Sequence, residues 1–312
     1  MSVTVVGSVA FDALQTPNGH RDRILGGAAT HFSLAAGFFT GVRVVGIVGE
    51  DFGQQELEVF RRRSIDTGDL TRVEGEKSFF WSGRYGAEMQ DAETLETRLN
   101  VLAGFDPELS ADARACSVLF LANVQPDVQR RVREQCPGAA VVGLDSMNYW
   151  IDSAREALVR TIRLVDVVVL NDAEVRMLTG EPNLPRAVRR IRELGPRVVV
   201  VKQGRYGAGL FTDQGFFAVP GYPLEEVVDP TGAGDSFAGG FFGYLDRHCH
   251  TDLTDDHLRC AAVYGSVMAS FTIESFGSER LQQLDPTEIE SRFEDFRRMT
   301  RFEGRSLAVR VP

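Results

Sequence analysis

The chain has 312 residues, 43% hydrophobic and 25% charged, enough for one large α/β domain or two smaller ones. Lys and Arg number 34 against 44 Asp and Glu, giving a formal charge of −10 and an isoelectric point near 5.1. That balance argues against a nucleic-acid partner and otherwise promotes solubility. No apolar run approaches the ~18 residues of a membrane span, and the start has no basic segment ahead of an apolar core. No membrane partner and no signal peptide are expected, and the expected location is the cytoplasm. Four scattered cysteines, Cys116, Cys136, Cys249 and Cys260, lack C-x-x-C spacing and suit reduced thiols. His248-Cys249-His250 resembles a metal cluster, but adjacent side chains diverge and no second ligand pair follows.

Along the chain, short β-branched runs alternate with helical patterns. Val3–Val6 reads as a strand, Ala28–Phe39 as a buried helix and Arg43–Val48 as the next strand. Between Thr71 and Asn100 the text becomes polar and alternating, which predicts antiparallel strands outside the main sheet. Phe79, Phe80, Trp81 and Tyr85 there suggest a lid with something to cover; a solvent-exposed excursion is the alternative. Further strands are predicted at Ser117–Leu121, Ala140–Leu144, Val165–Leu170 and Arg197–Lys202, with helices at Gln125–Gln135, Ser153–Leu164, Ala173–Thr179 and Leu184–Leu194. Apolar strands separated by helices indicate a parallel sheet covered on both faces, a doubly wound α/β architecture.

The strongest motif is Asp229–Phe242, DPTGAGDSFAGGFF. Gly232, Ala233 and Gly234 opening a helix present backbone N–H groups with no bulky side chains in the way. With the helix dipole they make an anion hole. Asp235 at the same helix start can take a proton from an attacking hydroxyl, so hole and base together suit phosphoryl transfer. The bland alternative is a tight turn with a capping Asp. Gly234-Asp235-Ser236 also resembles the GDS box of certain ester hydrolases, with Ser236 as nucleophile. None of the five histidines has the Asp three residues earlier that those enzymes carry, and no G-x-S-x-G elbow occurs.

Three weaker features accompany it. Gly26 and Gly27 open the Ala28 helix and allow a ligand close to the backbone, unless they form a plain turn. Asp12 follows the first strand, where open α/β sheets bind ligands, but also suits an Asx turn. Asn171-Asp172-Ala173-Glu174 follows a strand and reads first as a helix cap. In Val198–Leu210 the glycines Gly204, Gly207 and Gly209 fit neither a dinucleotide fingerprint nor a Walker loop, and a hairpin turn explains them in part.

Taken together, these stretches resemble the PfkB, or ribokinase-like, family of carbohydrate and nucleoside kinases across essentially the whole chain. Gly26–Gly53 is similar to the family's N-terminal signature, and DPTGAGDSFAGGFFGYL to its C-terminal one. NDAE is similar to its N-x-x-E box. The resemblance implies a three-layer α/β sandwich with a mostly parallel sheet. It would be a single domain over 1–312, with a small β-sheet lid from about 12–25 and 71–104. It implies Asp235 as general base, with the Gly232, Ala233 and Gly234 amides holding the transferring phosphoryl group. Lys202, Gly204, Gly207 and Asn171 would bind ATP. Glu174 would hold Mg²⁺ through water, and Asp229 with Thr231 a monovalent cation such as K⁺. The Ser266–Gly277 segment would border the adenine. Asp12, Gly26, Gly27, Thr30 and His31 would face the acceptor.

His31 departs from the usual family pattern, which has an Asn that touches the sugar. An amide and an imidazole offer different donors and acceptors, so plain ribose or fructose is disfavoured. The expected acceptor is a small sugar or polyol. The alternatives are a nucleoside, and a non-catalytic sugar- or nucleotide-binding protein of the same fold. Arg84 and Arg98 in the lid would engage a phosphorylated sugar or simply solubilise. The lid edge would favour a homodimer.

Overall fold

A computed structural model describes residues 2–90, 92–248 and 253–301. Cys249 and His250 of the candidate metal cluster lie outside them. Thirteen strands are present among the described residues: β1 (Val3–Val6), β2 (Ala10–Thr16), β3 (Gly19–Gly26), β4 (Val42–Gly49), β5 (Asp66–Val73), β6 (Phe79–Tyr85), β7 (Ala92–Arg98), β8 (Val118–Leu121), β9 (Val141–Asp145), β10 (Val167–Asn171), β11 (Val198–Lys202), β12 (Ala208–Thr212) and β13 (Gly215–Val219). Nine of them form one sheet in the order β13-β12-β11-β10-β9-β8-β1-β4-β5. Only the β11–β12 and β12–β13 pairings in it are antiparallel.

Side-chain alternation divides each central strand between two cores. Val3, Val5, Val44, Phe120, Val167, Val169 and Val200 face one side, packed under the Ala28–Ala36, Ala233–His248 and Asp255–Thr272 helices. Leu119, Leu121, Val142, Leu144, Val168, Leu170 and Val201 face the other, under the Pro126–Gln135, Arg155–Ile162, Asp172–Thr179 and Leu184–Arg192 helices. With both faces covered, the strands carry almost no polar residue until their carboxyl ends. Helix, sheet and helix make the three layers. No helix of the described residues is long and apolar enough to cross a membrane.

The remaining strands form a separate sheet, β3-β2-β6-β7, with β2 and β6 parallel and the outer pairs antiparallel. Thr71–Val73, expected in this lid, instead end β5 at the edge of the main sheet, paired with Ile47–Gly49 of β4. Alternation alone does not say which sheet a strand joins. The first helix also stops at Ala36, earlier than the predicted Phe39, because Gly37 caps it.

A seam of small residues holds the Ala28–Ala36 and Ala233–His248 helices unusually close. A Cβ on Gly239 would stand 2.4 Å from the Phe32 carbonyl oxygen, and one on Gly243 3.1 Å from the Ala36 Cα. Backbone therefore meets backbone, and the two helix N-termini, at Gly27 and Gly232, open side by side. That juxtaposition positions the site.

Candidate active site

The candidate site lies beyond the carboxyl ends of the parallel strands, where the connections that leave the paired strands β1 and β8 run to opposite halves of the sheet. Each strand end contributes a polar residue: Ser8 just after β1, Asn123 after β8, Asp145 at the end of β9, Asn171 of β10 and Lys202 of β11.

Two glycines shape the floor. Gly27 has φ +94°, and a Cβ there would stand 2.5 Å from the Ser8 carbonyl oxygen. Gly232 has φ +76°, and a Cβ there would stand 2.4 Å from Cγ and Nδ1 of His31. Only glycine adopts these angles at little cost and leaves this room. In the turn, Asp229 accepts from the Thr231 amide at 3.0 Å and from the Gly277 amide at 2.8 Å. The Ile273 carbonyl accepts from the Val228 amide at 2.9 Å, which ties the Ser266–Gly277 segment to the same loop. At the helix start, Ser236 N–H donates to the Gly232 carbonyl, the first bond of the helix. The earlier amides have no intrahelical partner. That of Ala233 bends back to the Pro230 carbonyl at 3.2 Å, so this member of the expected hole is engaged within the turn.

Carboxyl groups converge here. Asp12 lies over Gly26, where a Cβ would stand 1.9 Å from its Oδ2. Burial, reinforced by the charges of Asp229 and Asp235, pushes Asp12 up to about 8, against a smaller pull from the Gly27 amide. Asp235, half-buried on the first turn of its helix, is pushed up to about 7 by burial and then by Asp145, with Lys202 pulling the other way. Asp229 is raised mainly by burial. Glu174 is raised to about 7 by burial, which outweighs the ammonium of Lys202. Among the described residues no three His, Cys, Asp or Glu side chains are grouped to hold a metal by themselves.

Asn171 and Glu174 form a reciprocal cap: the Glu174 amide donates to Asn171 Oδ1 at 2.7 Å and the Asn171 amide to Glu174 Oε2 at 2.8 Å. Lys202 Nζ donates to Asp145 Oδ2 at 2.8 Å. Gly204 opens and Gly207 caps a one-turn 3-10 helix between β11 and β12, in the connection of that hairpin.

The lid reaches the turn directly: the Thr231 hydroxyl donates to Tyr85 Oη at 3.1 Å. Asp12 is in register with Trp81 on the neighbouring strand, and Trp81 and Tyr85 alternate onto the same face. The Trp81 ring leans over Gly83, where a Cβ would stand 2.1 Å from it. At the lid tip, Arg205 donates to the Glu88 carbonyl at 2.8 Å and pairs with its carboxylate at 3.0 Å. Arg84 is engaged with Gln15 and Glu93, and Arg98 with Glu96, on the lid itself.

His31 and Thr30 sit on the buried Ala28–Ala36 helix. The Thr30 hydroxyl and both His31 ring nitrogens are buried without a hydrogen-bond partner. Burial lowers His31 to about 4, so the ring is neutral near pH 7. Ser236 is fully buried beneath the turn, its hydroxyl shut away from any ester, which removes the hydrolase reading. Sequence reasoning missed Asp145. The signal was there, an acid at the carboxyl end of an apolar strand, as for Asp12.

The pfkB family carbohydrate kinase pattern matches residues 2–283. The chain is 29% identical over 255 residues to a cytidine kinase of Thermococcus kodakarensis, covering 79% of this chain and 89% of that protein. It is 26% identical over 276 residues to a nucleoside kinase of Methanothermobacter thermautotrophicus, covering 81% and 80%. Among solved structures, a Burkholderia thailandensis nucleoside kinase in complex with inosine superposes with TM-score 0.79 at 19% identity, covering 94% of this chain and 97% of that one. A ribokinase of Arabidopsis thaliana complexed with ribose and ATP superposes with TM-score 0.74 at 20% identity, covering 94% and 98%. These likenesses give the fold, a ribokinase-like α/β sandwich, and the family match gives the chemistry. The protein belongs to the pfkB family of carbohydrate kinases and is a phosphotransferase with an alcohol group as acceptor.

Proposed function

We propose that this kinase transfers the γ-phosphoryl group of ATP to a sugar hydroxyl of a nucleoside. The observation that carries the reading is the shared inner face of the lid: Asp12 in register with Trp81, and Tyr85 four residues further along the same strand. A carboxyl group beside an indole plate suits a ligand with hydroxyls at one end and a flat base at the other. A free sugar or polyol, the acceptor expected first, would leave the far end of the plate uncovered. The names of the two relatives matched over about four fifths of the chain agree with a nucleoside.

Asp235 would take the proton of the attacking hydroxyl. The new O–P bond forms as the bond to the β-phosphate oxygen breaks, and ADP leaves with that electron pair. The amides at the start of the Asp235 helix would meet the charge on the phosphoryl oxygens. Asp12 would hold a second hydroxyl.

The site's hard oxygen donors, concentrated around one ammonium, fit Mg²⁺. Glu174 would hold it through water, and the ion would neutralise phosphate charge. Asp229, fully buried and held by the Thr231 and Gly277 amides, fits a neighbouring monovalent cation at the Thr231 loop, which would favour its ionised form. The outer strands of the lid sheet, β3 and β7, with Leu95 and Leu99 exposed in or beside the second, support pairing of two copies through the lid. Sedimentation would test that.

Substrate choice is tested by measuring ADP formation with ATP·Mg²⁺ against cytidine, inosine, adenosine, ribose, fructose and polyols. Turnover of nucleosides at the highest kcat/KM is expected. Preference for a free sugar or polyol would overturn the acceptor assignment.

A further inference from the structure

Lys202 and Asp145 stand on strands that do not touch. β10 lies between β9 and β11, so their backbones are separated by roughly two strand spacings, about 9–10 Å. Asp145 is level with Val169 of β10, whereas Lys202 is level with Asn171 two residues further on. The lysine stem crosses the end of β10 to reach the carboxylate at 2.8 Å. Side-chain exposure is only 18% for the lysine and 5% for the aspartate, so the pair is largely dry. Asp145 is fixed on its other side too, because its Oδ1 accepts from the Ser146 amide at 2.7 Å.

The place where the ammonium is held matters more than the pairing. A Cβ on Gly234 would stand 2.9 Å from Lys202 Nζ, so the cation sits directly against the backbone of the phosphoryl-binding turn. Glycine at 234 is what lets it approach. An ammonium has three N–H donors, and Asp145 takes one. The other two are available to phosphoryl oxygens at that turn. An untethered lysine would spread its charge over many rotamers and lose side-chain freedom when it engaged substrate.

We propose that Asp145 is a positioning residue for phosphoryl transfer, holding the Lys202 ammonium against Gly234 so that it meets the transferring group as charge develops there. The inference rests on the kinase reading of the site. Asp145 also faces Asp235 and raises its affinity for a proton, together with burial and against Lys202. Asp12 from the lid, Glu174 from the Asp172–Thr179 helix, Asp229 from the turn and the neutral His31 ring are the other titratable groups beside this space.

The test uses the full-length enzyme with ATP·Mg²⁺ and its best acceptor, in three variants: Asp145→Asn, Lys202→Met and the double variant. Asp145→Asn is expected to lower kcat about 10²-fold, the size of losing one well-placed charge-stabilising group, with acceptor KM changed by less than about threefold. Removing the Asp145 charge is also expected to move the acidic limb of the pH–rate profile to lower pH, which a purely structural residue would not do. The double variant is expected to be no slower than Lys202→Met, since both single changes remove one function. It also removes both buried charges, so it folds even where a lone unpaired lysine destabilises Asp145→Asn. An unmoved acidic limb with kcat within about twofold of the parent, or losses that multiply in the double variant, would overturn the proposal. The kinase reading is judged separately by Asp235→Asn: full activity of that variant would sink the reading itself, whatever Asp145 does.

Discussion

The imidazole of His31 occupies the space that a side chain on Gly232 would need, with three ring atoms 2.4–2.5 Å from the position of a Cβ there. The helix expected to touch the acceptor thus also supports, through this ring, the turn proposed to bind the phosphoryl group. Because both ring nitrogens are buried, His31 is expected to act by shape rather than by bonding substrate. His31→Ala should weaken the turn and change the KM of acceptor and ATP together, alongside a fall in kcat. A rise confined to acceptor KM would instead make His31 an acceptor ligand.

Gly232→Ala is expected to be more severe, because it combines a strained φ with a clash against the ring. The clash alone resembles overpacking, about 1–3 kcal/mol, and the strain adds to it. Thermal denaturation should show the loss, and kcat should fall by more than about 10²-fold if the turn's amides are displaced. Activity near the parent's would show that the turn tolerates rearrangement.

Asp235 sets a pH dependence with a definite sign. In its proposed role as proton acceptor it would have to be ionised, and it is pushed up to about 7. kcat/KM, which reports the free enzyme, should therefore fall about tenfold per pH unit below that value. A profile flat down to about pH 5 would exclude Asp235 as the base.

The same shift has a cost in stability. The folded protein keeps a proton on Asp235 up to about 7, whereas the unfolded chain releases it near the ordinary 3.8. Stability therefore declines as pH rises through that window, and the full cost is present above 7. Asp235→Asn carries no such cost. It should melt above the parent near pH 8 by about 2 °C or more, and the two curves should converge toward pH 4. Activity should meanwhile fall by several orders of magnitude. A variant less stable than the parent at pH 8 would show that the charge is well compensated in the fold.

Tyr85 joins the lid to the loop that leads into the Gly232–Asp235 turn, through Thr231. Tyr85→Phe removes one neutral hydrogen bond, worth about 1 kcal/mol, so acceptor KM should rise about fivefold with little change in melting temperature. The exposed Arg205–Glu88 pair offers a contrast. Glu88→Ala should leave stability unchanged within error, as solvent-exposed ion pairs generally do. An unaltered acceptor KM in Tyr85→Phe would mean that the lid is held shut by other contacts.

Much of this site could be read from the sequence because its parts are local. Gly232-Ala233-Gly234-Asp235 is a turn, a helix start and a carboxyl group in four consecutive residues, and Gly26-Gly27 opens its helix in the same way. What could not be read depends on packing between distant segments. Pairing of Lys202 with Asp145 requires the strand order, since β10 intervenes and 57 residues separate them. The His31 ring reaches Gly232 only because of a helix contact that no periodicity specifies. Thr71–Val73 alternate as a lid strand would, yet they join the main sheet, because a period of two describes a strand and not its neighbour.

The glycine seam between the Ala28–Ala36 and Ala233–His248 helices has a consequence for how such an enzyme changes substrate. The spacing between the two helix starts is set by main chain against main chain, at Gly239 and Gly243. With the roles proposed above, lid side chains could be exchanged without altering the distance over which the phosphoryl group would travel. Acceptor preference and reaction geometry would then be written in different parts of the chain, and one could drift while the other stayed fixed.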